Sequence, residues 1–111
     1  MAFTPSLGEF EQVVLLSILR LGEEAHGVSI RAEIAACTGR EPAAGALYTT
    51  FDRLQQKGLV TSRLGDPTPQ RGGRAKRFLT VTSAGIQAVA QAQRSYQRLL
   101  QGLSLPGVSH A

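Results

Sequence analysis

The sequence predicts a mostly α-helical fold with one small β-hairpin, in the order helix, helix, helix, strand, loop, strand, helix. Three observations predict it. Apolar residues recur at helical spacing through 7–21, 28–37 and 43–57, and each run stops close to a glycine. Two short strand-like runs, 59–64 and 76–82, flank a stretch holding two prolines and three glycines. Helical spacing then returns from 83 to 103.

The first helix opens at Ser6-Leu7-Gly8-Glu9, which reads as a capping box, and runs to Leu21 before Gly22. Leu7, Phe10, Val14, Ile18 and Leu21 form its stripe, and Val13, Leu15, Leu16 and Leu19 widen that stripe around most of the helix. A helix so apolar is buried on more than one side, which in a short chain points to a second subunit. The second helix is expected over Val28–Cys37, with Ile30, Ile34 and Cys37 on its inner face. Thr38-Gly39 stops it, and Arg40-Glu41-Pro42 forms a short turn. The third helix spans Ala43–Lys57 and ends at Gly58. Its apolar stripe, Leu47, Phe51 and Leu54, is narrow, so the rest of its surface meets water or a ligand.

Leu59–Leu64 and Lys76–Thr82 read as strands of a hairpin whose long loop carries basic residues. Thr82 caps a last helix from Ser83 to Leu103, with Pro106-Gly107 beyond it. Along this helix Ile86, Val89, Gln93, Tyr96, Leu100 and Leu103 alternate spacings of three and four, a heptad seam with one polar interruption, and Leu99 broadens it. Two short helices joined by a tight turn and followed by a basic hairpin make the winged helix-turn-helix plan. Residues 1–82 would form that DNA-binding domain. Residues 83–104 would form a dimerisation helix packing with the first helix through Leu7, Phe10 and Val14, and 105–111 a tail.

Composition narrows the function. The chain has 111 residues, enough for one domain, and 42% of them are hydrophobic, which argues against disorder. No run of about 18 apolar residues offers a membrane span, and no basic-then-apolar leader is visible. A cytoplasmic, nucleoid-associated location is expected. The net charge is +4, unevenly spread: Arg53 to Arg77 holds seven basic residues and one acid, Asp66, after which no acid follows. That asymmetry suits either a nucleic-acid face or a solvated basic surface. Enzyme chemistry has little to work with. His26 and His110 are the only histidines, Cys37 is the only cysteine and sits in an apolar stripe, and Gly72-Gly73 lacks the lysine and hydroxyl of a phosphate-binding loop. No catalytic residue, metal site or cofactor is expected.

The residues expected to touch DNA follow from placement. Arg53 and Lys57, one turn apart and outside the apolar stripe, suit phosphate contact. Thr49 and Thr50 lie near the helix start, where base edges are reached. Tyr48 either packs in the core or sends its hydroxyl to a phosphate. Arg71, Gly72, Gly73 and Arg74 suit a wing entering a minor groove, with Lys76 and Arg77 at the start of the following strand. Strand alternation lets at most one of those last two share the DNA-facing side.

The chain resembles the PadR family of transcriptional regulators. The similarity lies in Leu7-Gly8-Glu9-Phe10-Glu11 with Val14-Leu15-Leu16, in His26-Gly27-Val28-Ser29-Ile30, in Gly45-Ala46-Leu47-Tyr48 with Leu54 and Gly58-Leu59-Val60, and in Arg71–Phe78 followed by Leu79–Gly85. Thr49 departs from it, since many members carry proline after the tyrosine. The resemblance implies a bacterial, homodimeric, usually repressing regulator of double-stranded DNA in a short form with one helix after the wing. It tips Tyr48 toward DNA contact. Members often sense a small molecule, and an apolar cleft between paired terminal helices would suit such an effector, which no residue here identifies. The competing function is a winged-helix module that binds only other proteins.

Overall fold

The computed structural model describes residues 7–65 and 75–107. Helix α1 spans Glu9–Leu21, and a single 3-10 turn, Gly22–Glu24, leads to helix α2, Gly27–Thr38. Helix α3 is Ala44–Gln56, strands β1 and β2 are Val60–Leu64 and Arg77–Val81, and helix α4 is Ser83–Leu100. The expected order of elements is thus the observed one.

The start of α1 differs from the expected box. Gly8 is the N-cap, and the Glu11 carboxylate accepts from the Gly8 amide at 2.9 Å. Glu11 stands three residues after the cap, where a carboxylate can reach back, whereas Glu9 occupies the first helical position. Ser6 lies outside the described residues. Helix α2 ends at Gly39, whose φ of 74° places it in the left-handed region, and the Gly39 amide donates to the Ala35 carbonyl at 2.9 Å. Thr82 caps α4 as expected, its hydroxyl accepting from the Gly85 amide at 3.1 Å. The end of α4 falls short of Leu103: Gln101 leaves helical geometry, and Gly102 follows with a φ of 78°.

One core joins every element. Val14, Leu15 and Ile18 of α1 meet Ile30 and Ile34 of α2, Leu47, Phe51 and Leu54 of α3, Leu59 and Val60, Leu79 and Val81 of β2, and Ala88 and Val89 of α4. Two expected interface residues are therefore reassigned. Val14 and Val89 are buried within the single chain, because the stripe that carries them is the one that closes their own domain. Gly85 lets α4 approach the hairpin, since a Cβ there would overlap the Leu59 carbonyl and the Val81 side chain.

The hairpin pairs β1 and β2 antiparallel, from Val60 opposite Val81 to Leu64 opposite Arg77. Its outer edge is stapled to the start of α2: the Leu79 amide donates to the Ala25 carbonyl at 2.9 Å, and His26 bridges Phe78. The distal half of α4 leaves the domain behind. Tyr96, Leu99 and Leu103 are exposed, Leu99 by 72%. The radius of gyration is 15.9 Å, against about 13 Å for a compact chain of this length.

Candidate nucleic-acid interface

Helix α3 presents two faces. Leu47, Thr50, Phe51 and Leu54 point inward, and Tyr48, Thr49, Asp52, Arg53 and Gln56 point outward. Thr49 and Arg53 are thus a turn apart on one open surface. Thr50 leaves the expected contact set. It is only 5% exposed, and its hydroxyl donates to the Ala46 carbonyl at 2.8 Å, since it shares the inward side with Phe51. Lys57 leaves it as well. It forms the C-cap of α3 and turns back to Glu11 of α1, with its ammonium 2.9 and 2.8 Å from the two carboxylate oxygens.

The second part of the site is where α2 begins. His26, Gly27, Val28, Tyr48, Ala75, Lys76 and Arg77 line an open groove of about 390 Å³. The His26 amide donates to the Ser29 hydroxyl, which fixes the first turn of α2. Tyr48 packs edge-on against Phe51, with ring centres 5.4 Å apart, and its hydroxyl lies against Gly27. A Cβ at Gly27 would collide with that hydroxyl. The groove therefore gathers a helix N-terminus, a phenol and the exposed Lys76, three groups that favour an anion. His26 titrates below its ordinary value, because burial and then the nearby Lys76 charge disfavour its protonation.

The root of the wing forms the third part. Arg77 lies across α3, with one guanidinium nitrogen 3.1 Å from Asp52 and another donating to the Gln55 side-chain oxygen at 2.7 Å. Ser62 donates to the same oxygen at 3.2 Å. On the opposite face of the hairpin the Arg63 guanidinium lies 4.6 Å above the Phe78 ring, and His26 meets that ring edge-on. Lys76 and Arg77 both line the groove beside α2, and Arg77 also reaches across to α3. Arg71, Gly72, Gly73 and Arg74 lie outside the described residues.

Several of these groups escaped sequence reasoning. Glu11, Asp52 and Gln55 meet partners distant in sequence, and Arg63 lacked any motif. Only the His26-Gly27 pair left a signal, as the glycine-led opening of α2. The expected inner position of Cys37 is also corrected. The residue is exposed at the end of α2, where its thiol donates to Glu33 at 3.2 Å, because the helix rises out of the core after Ile34. The Glu33 hydrogen bond, followed by desolvation, holds that thiol above its ordinary value. Among the expected interface residues, Ile86, Gln93, Tyr96, Leu99 and Leu103 are exposed, while Leu7, Phe10 and Leu100 are half-buried.

Among the described residues, no helix is long and apolar enough to cross a membrane. A family model described as the transcriptional regulator PadR-like family matches residues 15–91. No curated protein matches the chain significantly. Among solved structures, hsRosR, solved as a complex, is 25% identical with a TM-score of 0.64, over 91% of this chain and 80% of that one. A PadR family regulator from Eggerthella lenta is 23% identical with a TM-score of 0.64, over 85% and 81%. F93 from STIV, a winged-helix DNA-binding protein, is 15% identical with a TM-score of 0.67, over 90% and 100%.

Proposed function

The chain belongs to the PadR-like family of transcriptional regulators, and from that premise we propose that it is a sequence-specific repressor that binds an inverted-repeat operator as a homodimer. The observation that carries this reading is the groove where Tyr48, the first turn of α2 and Lys76 converge beside the exposed Thr49 and Arg53. The exposed face of α3 would enter the major groove, with Thr49 toward base edges and Arg53 toward phosphate. Tyr48 and the α2 amides would receive a flanking phosphate. The wing, through Arg71, Gly72, Gly73, Arg74 and Lys76, would reach the neighbouring minor groove.

Residues 1–82 act as the DNA-binding unit in this reading, 83–104 as the dimerisation segment and 105–111 as a tail. The interface uses Ile86, Gln93, Tyr96, Leu99, Leu100 and Leu103 with Leu7 and Phe10 of α1. The exposure of Tyr96 and Leu99 on a helix that outruns its domain, and of Leu103 just beyond its end, supports that role. A bound dimer excludes polymerase by occupancy alone, which is why repression is the output proposed. The work is placed in the cytoplasm, on the nucleoid. No step requires an effector, and a small apolar one would enter between the paired terminal helices.

The test is the affinity of the full chain for a labelled DNA duplex measured across a salt series. Steep weakening with salt, together with preference for one sequence over competitor DNA, is expected. Salt-insensitive or absent binding would reject the reading in favour of a protein-only module.

A further inference from the structure

Arg77 was expected to contact DNA, but its guanidinium is already engaged. It pairs with Asp52 at 3.1 Å, donates to Gln55 at 2.7 Å and lies over the Phe51 ring at 5.9 Å. All three partners belong to α3, and Arg77 itself opens the strand that leaves the wing. Asp52 is 65% exposed on the surface proposed to meet DNA. A bare carboxylate there would repel the phosphate backbone. A pair this exposed adds little to folding stability, so its consequence lies in charge and placement.

We propose that Arg77 is a positioning residue: it neutralises Asp52 on the recognition helix and clasps the wing root to that helix, so that both enter DNA as one unit. The guanidinium fork suits this task, because its nitrogens reach a carboxylate and an amide oxygen together in one plane. Arg77 therefore touches α3 rather than phosphate. The proposal rests on the DNA-binding reading above.

The test compares wild type, Arg77→Ala, Asp52→Asn and the double variant on a fluorescein-labelled mixed-sequence duplex of about 30 base pairs, long enough for two half-sites one turn apart. Arg77→Ala is expected to weaken binding by roughly tenfold with the salt slope nearly unchanged, and Asp52→Asn in that background to restore most of the loss. An equal loss in both backgrounds, with a slope lower by about one, would make Arg77 a phosphate contact and overturn the proposal. If Arg77→Ala fails to fold, Arg77→Gln, which removes the charge but keeps a long polar side chain, gives the same comparison in the two Asp52 backgrounds.

Hydrogen exchange of the DNA-free protein supplies the separate readout. The Gly65 amide donates to the Lys76 carbonyl at 2.7 Å beside the clasp, and its exchange should quicken in Arg77→Ala. Unchanged exchange would overturn the clasp. Failure of wild type to bind the duplex would remove the DNA reading itself, while the exchange result would still report on the clasp.

Discussion

The Lys57 ammonium grips both carboxylate oxygens of Glu11, at 2.9 and 2.8 Å, and so ties the end of α3 to the first turn of α1 across 46 positions of sequence. The same carboxylate accepts from the Gly8 amide at 2.9 Å. One buried acid, with a side chain only 8% exposed, thus holds both the start of α1 and the end of the recognition helix.

That geometry sets a pH dependence. Burial alone would raise the Glu11 pKa, but the Lys57 pairing, the Gly8 amide and the charges of Lys57 and Arg53 outweigh it and hold the group below its ordinary value. A lowered folded pKa means stabilisation that is present above the unfolded carboxylate range and lost as pH falls through the folded value. Glu11→Gln should cost about 2 kcal/mol near neutral pH and flatten the loss of stability that sets in as pH falls through and below the ordinary carboxylate range. Chemical denaturation across that range checks it, and parallel pH profiles for variant and wild type would contradict it.

Gly27 makes a second prediction. An alanine there meets the Tyr48 hydroxyl, the free end of a side chain that can swing away. Gly27→Ala should therefore leave the melting temperature within a few degrees of wild type yet weaken DNA binding, because Tyr48 is displaced from the start of α2. Paired melting and binding measurements decide it. A variant that binds as wild type would remove Tyr48 from the interface.

Much of this architecture is legible in the sequence, because its signals are local. Gly39 stops α2, Thr82 caps α4, and the narrow stripe of Leu47, Phe51 and Leu54 orients α3. What escapes is set by contacts distant in sequence. Spacing cannot say whether Val14 and Val89 face their own domain or a second copy, since both surfaces are apolar. Thr50 reads as outward until Phe51 beside it fixes the rotation of the helix. Lys57 looks like a DNA contact because Glu11, its partner, lies at the other end of the domain. The wing residues Arg71, Gly72, Gly73 and Arg74 lie outside the described residues.

The basic residues make separable predictions. Arg53→Ala should weaken binding to all sequences and lower the salt slope by roughly one, and Arg71→Ala with Arg74→Ala should lower it by about one per lost phosphate contact. Thr49→Ala should instead alter sequence preference and leave the slope nearly unchanged. Anisotropy titrations at several salt concentrations, on specific and mixed-sequence duplexes, check both. A changed slope for Thr49→Ala, or an unchanged one for the wing pair, would reverse the roles.

The distal half of α4 and the segment just after it bear on assembly. Leu99 and Leu103 are exposed in the single chain, so charged replacements there leave the domain core alone. Leu99→Glu with Leu103→Glu should place like charges against each other in a twofold interface and give folded monomers. Sedimentation at micromolar protein would show the change. A wild-type monomer, or a double variant that stays dimeric, would move the interface elsewhere.

Two copies of this domain reading an inverted repeat should leave their mark in a selection of bound duplexes from a random-sequence library by wild-type protein. An enriched inverted repeat whose half-site centres lie about one helical turn, ~34 Å, apart is expected. A pool with no enriched sequence, or one enriched for a lone asymmetric site, would contradict it.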